Sequence, residues 1–307
     1  MNVEALFELA QRQLQAGHLA GAVETLKRAL SQDPEHAGAH AFLALVLCDQ
    51  RRLYAAEHEA RLALALEPDG RLQLLASGRI EVAHRRFKPA LERFERMREL
   101  NPSDPQALIE LANVHQLRGR RDDARALLEQ AIALDPEAPE PVADLGHVEL
   151  ESGRIDEAQR RAQQALELSP EYHDALVLMG HVLVHQDRLD EAREHAVWAL
   201  QQNPASRPAL SLIVAIKTRK SLILGLWWRY SVWMGALGDG RAILVLLIAY
   251  VAYRFGVITA DVAGRGDLGE LINAVWLGIV AYTWFGPALF MQSLKKELST
   301  VQMGKDF

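Results

Sequence analysis

The hydrophobic pattern divides this chain of 307 residues into two parts. From residue 1 to 204, small and apolar positions recur in phase. Pro34, Pro68, Pro102, Pro136, Pro170 and Pro204 are each 34 residues apart. One column of small residues reads Ala22, Ala56, Ala90, Ala124, Ala158 and Ala192. A second reads Ala29, Ala63, Met97, Ala131, Ala165 and Ala199, and a third Ala10, Ala44, Gly78, Ala112, Gly146 and Gly180. Three columns in one phase define six internal repeats, about 3–36, 37–70, 71–104, 105–138, 139–172 and 173–206. Beyond 220 the pattern changes to long apolar runs. Residues 242–259 form an 18-residue run broken only by Arg254, and 271–291 are 21 residues without a charge. Such lengths predict two transmembrane helices.

The best-formed unit, 141–170, carries Leu145-Gly146, Gly153, Ile155, Ala158, Ala162, Ala165-Leu166 and a closing Pro170. These positions resemble the tetratricopeptide repeat, a helix–turn–helix unit. The resemblance covers about 1–216. It implies an all-α fold, a right-handed superhelix of six repeats, each with a helix A and a helix B. Gly146 and Ala158 then let the two helices of a unit approach closely, Ala165 lets helix B meet the next helix A, and Pro170 cannot continue helix B. The third unit departs most, with Ser77-Gly78, Phe87, Phe94 and Met97. Its Pro89 is expected in the first turn of helix B, where a missing N–H costs little. A stacked array needs a terminal cover, and 205–220 reads as a capping helix followed by a basic junction.

Charge sharpens the division. Residues 1–204 carry a net charge of −11 and 205–307 a net of +5, and five of the six tryptophans lie in the second part. An acidic solenoid argues against nucleic acid, whose affinity comes mainly from Lys and Arg on phosphates. The single Cys48 excludes an internal disulfide framework. The first residues, with Glu4 and Glu8, read as a repeat helix rather than a signal peptide.

In the second part, Trp227, Trp228, Tyr230 and Trp233 surround Arg229 within 221–238. That composition suits an interfacial helix lying among lipid headgroups; a third, short span is the alternative. The charges favour the first. Arg207, Lys217, Arg219, Lys220, Arg229 and Arg241 precede the first run, Lys295 and Lys296 follow the second, and the intervening loop has Arg265 against Asp261, Asp267 and Glu270. Positive residues stay inside, so the repeats and the tail 292–307 are expected on the cytoplasmic side of a cell inner (plasma) membrane, in a multi-pass protein. Arg254 either snorkels to the interface or meets a membrane partner. Asp239-Gly240 and 262–270 read as turns. Ala252 and Gly256, then Ala274 and Gly278, permit close helix packing, and Pro287 is expected to kink the second span.

Ligands of the resembling family lie in the groove lined by helix A. Carried over, the groove takes Phe7, Gln11 and Leu14 from the first unit, and Phe42, Leu45 and Cys48 from the second. Leu75, Arg79, Ile109, Asn113 and Gln116 follow, then Ala143, His147, Leu150, Val177, His181 and Val184. The Lys and Asn set that resembling co-chaperones use to clamp a C-terminal carboxylate is missing apart from Asn113, which disfavours a chaperone tail. His181 and His185 are four apart with His147 one repeat earlier, a spacing able to share a metal ion. Plain surface or peptide-binding histidines explain the same residues better, so no metal and no cofactor are assigned.

No strand pattern, phosphate loop or Gly-x-Ser-x-Gly sequence points to an enzyme. Asp122-Asp123 and Asp156-Glu157 open B helices, where carboxylates favour the helix dipole. The arginine-rich run 79–98 is either a solvated face paired with Glu92, Glu95 and Glu99 or a contact for an acidic partner. The expected function is a membrane-anchored scaffold that binds a protein or peptide segment and assembles a complex. The alternative is an accessory subunit of a membrane enzyme or transporter, contacted through its spans.

Overall fold

The structure, a computed structural model, describes residues 2–15, 18–204, 206–220, 234, 237, 239–278 and 280–281. Among the described residues all regular structure is helical. The chain divides into two compact units, Met1–Tyr172 and His173–Phe307.

The first unit is a series of antiparallel helix pairs: α1 (Val3–Gln15) with α2 (Leu19–Gln32), α3 (Ala37–Asp49) with α4 (Leu53–Leu66), α5 (Arg71–Ala83) with α6 (Phe87–Leu100), α7 (Pro105–Leu117) with α8 (Arg121–Leu134), and α9 (Pro139–Glu151) with α10 (Ile155–Leu168). The second unit opens with α11 (His173–His185), α12 (Leu189–Gln202) and α13 (Arg207–Lys220). Each pair is held by buried small residues. Ala22, Ala56, Ala90, Ala124 and Ala158 have no exposed surface in the first unit, nor has Ala192 in the second.

Local chemistry sets where each helix stops. The odd-numbered helices from α3 to α11 end on a residue in the left-handed region: Arg51, Arg85 and Asp187 at φ of 60°, 60° and 61°, and Gly119 and Gly153 at 75° and 77°. In the Gly153 turn, the N–H of Gly153 donates to the Leu150 carbonyl at 3.0 Å and that of Arg154 to Glu149 at 2.9 Å. This double bond pattern satisfies carbonyls that the helix leaves open. Gly17, at the matching place in the first pair, lies outside the described residues. The even-numbered helices from α2 to α12 end differently, some on an extended residue such as Asn101 (φ −141°) or Ser169 (φ −147°), and proline follows.

Close approach between one helix and another is tight at two glycines. A Cβ on Gly78 of α5 would lie 2.3 Å from the ring of Phe94 on α6. In the second unit a Cβ on Gly180 of α11 would lie 2.2 Å from Leu212 of α13. Helix α13 thus rests on bare backbone, and it buries Ala209, Leu212, Ile213 and Ile216. Pro89 is the third residue of α6.

Farther along the second unit, α14 spans Asp239–Val262. Its segment Leu244–Val262, 19 residues, is long and apolar enough to cross a membrane. It is the one such helix among the described residues. The apolar segment ends later than the expected 259, because the helix carries through Thr259 and Asp261. Asp239 and Gly240 are its first residues rather than a turn, both being tolerated at a helix start. The expected turn at 262–270 narrows to 263–265, where Gly264 adopts a φ of 69° and Arg265 N–H donates to the Ala260 carbonyl at 3.0 Å. Helix resumes at 266 and is described through 278. Tyr253 donates from its hydroxyl to Asn273 Oδ1 at 2.6 Å and stacks on Trp276 with ring centroids 4.7 Å apart. Of the paired small residues, Gly256 faces Ile272 across 3.7 Å, whereas Gly278 faces open space. Most of the Trp-rich stretch 221–238, the remainder of the expected second span, Pro287 and the tail 292–307 lie outside the described residues.

Candidate functional site

The first unit has a cleft of about 470 Å³ on its A-helix side. Four helices and one turn supply its walls: Asp49 from α3, Arg51 from the turn after it, Arg79, Val82 and Ala83 from α5, Ile109, Glu110 and Asn113 from α7, and Glu140 and Asp144 from α9. Recurrence every 34 residues brings equivalent helix positions side by side, which is why residues far apart in sequence share one wall.

An ion pair lies in the wall of this cleft. Arg79 Nε donates to Glu110 Oε1 at 2.7 Å, and Gln106 Nε2 donates to the same oxygen at 3.1 Å. The Glu110 side chain is only 4% exposed. Burial opposes the charge on Arg79, but Glu110, and then Glu140 and Asp49, outweigh it and hold the guanidinium pKa above its usual value. Asp49 moves the other way from most paired carboxylates. Burial pushes its pKa up, and Arg79 only partly offsets this. The cleft thus has four carboxylates against two guanidinium groups. Such a surface attracts cations and repels anions.

Toward α1 the same helix face becomes apolar. The Phe7 ring lies 5.3 Å from that of His36 and meets Phe42 edge-on at 5.6 Å. Leu14, Leu45 and Cys48 pack partly buried against the core beneath. Burial raises the Cys48 thiol pKa, with Asp49 adding to the effect. A thiol so held is a packing group rather than a nucleophile.

The structure thus sorts the groove residues expected from sequence. Arg79, Ile109 and Asn113 line one cleft. Phe7 and Phe42 touch each other, and Gln11, Gln116, His147 and Leu150 are half-buried on their helices. Leu75 and Ala143 are almost wholly buried and serve the core. In the second unit Val177 and Val184 are 1% and 6% exposed and likewise face inward. His147 belongs to the first unit, and His181 and His185 to the second. Among the described residues no group of three or more His, Cys, Asp or Glu side chains is arranged to hold a metal.

Sequence reasoning missed Asp49, Glu110, Glu140 and Asp144. A signal was there: Glu110 and Asp144 are 34 apart, one column beside the groove positions chosen. The arginine-rich stretch proves largely paired. Arg86 meets Glu57 at 2.9 Å, Arg96 meets Asp69 at 2.9 Å and Arg98 meets Glu95 at 2.6 Å. The acidic pairs Asp122-Asp123 and Asp156-Glu157 sit in first turns of α8 and α10.

Comparison with known proteins agrees with this architecture. Models of the tetratricopeptide repeat match residues 7–71 and, in overlapping segments, 81–145, 117–164 and 149–215. No curated protein matches the sequence. Among solved structures, the thermophilic TPR protein TTC0263 of Thermus thermophilus is 25% identical, with a TM-score of 0.56 over 59% of this chain and 99% of that one. The type IV pilus biogenesis factor PilW is 18% identical, with a TM-score of 0.53 over 69% and 98%. A chain of the APC/C hetero-tetramer Cut9–Hcn1 is 19% identical, with a TM-score of 0.56 over 69% of this chain and 42% of that one.

Proposed function

Because this chain belongs to the tetratricopeptide-repeat family, we propose that it is a membrane-anchored scaffold that binds a segment of another protein in its A-helix groove. Proteins of this family bind protein or peptide partners and are generally non-catalytic. The finer organisation adopted here is six repeats over 1–204, a cap and basic junction over 205–220, an interfacial helix over 221–238, spans over 242–259 and 271–291, and a tail over 292–307. Repeats and tail lie at the cytoplasmic face of a bacterial inner membrane. The apolar segment Leu244–Val262 supports anchoring.

The observation that carries the binding role is the acidic cleft spanning α3 to α9. An extended segment with Lys or Arg fits it, because each cation finds a carboxylate among Asp49, Glu140 and Asp144. The apolar end at Phe7 and Phe42 suits a neighbouring hydrophobic side chain. Anchoring raises the effective concentration of bound partners at the membrane.

The test uses the full chain in detergent and two labelled peptides, one alternating Lys and Leu, the other alternating Glu and Leu. Fluorescence anisotropy is expected to give a preference for the basic peptide of about tenfold or more, weakened by salt. The preference is lost when Glu140→Lys and Asp144→Lys are combined. Equal binding of both peptides, or a preference that survives this reversal, overturns the reading.

A further inference from the structure

A single cation sits inside the apolar helix segment. In Leu244–Val262, Arg254 has ten residues before it and eight after it. At 1.5 Å per residue it lies about 15 Å from one end and about 12 Å from the other. It is exposed, and among the described residues it makes no hydrogen bond or ion pair. The Cα–Cβ bond of a helical residue tilts toward the helix N-terminus, so this side chain leans away from the nearer end.

One side of α14 is already occupied, and Arg254 lies at its edge: Tyr250, four residues before it, has its ring 6.3 Å from that of Trp276, and Val257, three residues after it, is buried. Tyr253, Gly256 and the buried Val257 and Ala260 mark the seam facing the 266–278 helix, where Tyr253 meets Asn273 and Trp276. Leu247, Val251 and Ile258 share the face of Arg254 and are 57%, 58% and 51% exposed. Among the described residues this apolar face is uncovered, and it carries one positive charge.

The chain does not supply the counter-charge. Between 242 and 291 its acidic residues are Asp261, Asp267 and Glu270, all at the turn end. Asp261 shares the face of Arg254 two turns on, about 10.5 Å along the axis, and the two make no ion pair. A second copy in the same orientation would oppose Arg254 to Arg254, which is repulsive. An ionised side chain at such depth is costly unless paired.

We propose that the Arg254 face of α14 docks a membrane-spanning helix of a different protein that carries an Asp or Glu at the depth of Arg254. This rests on the reading that α14 crosses a membrane, and it gives the scaffold a second contact independent of the groove. The occupant packs its small and apolar residues on Leu247, Val251 and Ile258 and places its carboxylate against the guanidinium.

The test is photo-cross-linking in native membranes, with the full chain bearing benzoylphenylalanine at Val251 or, as a control off this face, at Ala252. Alkaline extraction is run first: release of the protein from the membrane refutes the spanning reading and the proposal with it. If the protein is integral, Val251 is expected to give an adduct that Ala252 does not. Its yield falls about tenfold in Arg254→Leu and is partly kept in Arg254→Lys. The cross-linked peptide is an apolar helix with an Asp or Glu within one turn of the adduct, and exchanging the two charges between the proteins restores the yield. An integral protein with no adduct, an adduct of twice its own mass, or one indifferent to Arg254→Leu overturns the proposal and leaves the spanning reading standing.

Discussion

Replacing Gly78 by alanine probes how one repeat accommodates an oversized side chain. The added Cβ would lie 2.3, 2.5 and 2.9 Å from Cε1, Cζ and Cδ1 of Phe94. Non-bonded carbons settle at about 3.5–4.0 Å, so the overlap is about 1.2 Å or more. Phe94 has no exposed surface and no room to retreat. Overpacking of this kind costs roughly 1–3 kcal/mol, and alanine returns about 1 kcal/mol of helix propensity. The upper half of the first range applies at a rigid ring, leaving a net loss of about 1–2 kcal/mol. For a chain of this size that lowers the melting temperature by roughly 2–8 °C. Two of the five equivalent pairs elsewhere are Ala10 with Leu26 and Ala112 with Leu128, all essentially fully buried. Alanine therefore fits opposite leucine, and Gly78→Ala is expected to reverse sign in the Phe94→Leu background, becoming stabilising by up to about 1 kcal/mol. The Phe94→Leu change alone leaves a void beside Gly78 and costs roughly 2 kcal/mol. Thermal melts of the four proteins of this cycle in detergent, followed by circular dichroism, give the coupling, and hydrogen exchange localises it to α5 and α6. Loss of stability of the same size in both backgrounds refutes the argument that Gly78 is required by the Phe94 ring.

Arg85 holds a φ of 60° at the end of α5, in the conformation that Gly119 and Gly153 supply without a Cβ; Arg85→Gly is expected to stabilise by about 1 kcal/mol, and a lower melting temperature would contradict it. Asp104 tests the electrostatics. Burial alone would raise its pKa, but the bonds from Arg71 (2.5 and 3.2 Å) and from the Gln106 N–H (3.1 Å), with the Arg71 charge, hold it below the usual range. Its stabilisation is therefore complete above the unfolded value of about 3.9 and is lost as pH falls through the lower folded value. Melts from about pH 6 down to about pH 2 should fall more steeply for the wild type than for Asp104→Asn, and parallel curves would refute this.

Helix positions were legible in the sequence because their causes are local. The prolines after α2 to α12 and the Gly119 and Gly153 turns act within a few residues, and the small-residue columns repeat in phase with them. Arg51, Arg85 and Asp187 gave no such signal. Their strained turns follow from the geometry that neighbouring pairs share, not from their own preferences. The apolar run around Arg254 was likewise legible, since membrane length is a property of consecutive residues. The face that Arg254 shares was not, because the direction of Arg254 relative to Asn273 and Trp276 depends on how two helices meet.

The sequence by itself determined the period, the helices and the split between an acidic array and an apolar end. Only the tertiary structure decided which side chains share a surface. Asp49, Glu110, Glu140 and Asp144 lie on three different helices and are separated by up to 95 residues. They converge because stacking aligns A helices side by side. That same stacking buries Glu110 against Arg79 while leaving other carboxylates at the cleft. Periodicity fixes where a residue sits on its own helix, and the packing of one helix on the next fixes what it faces.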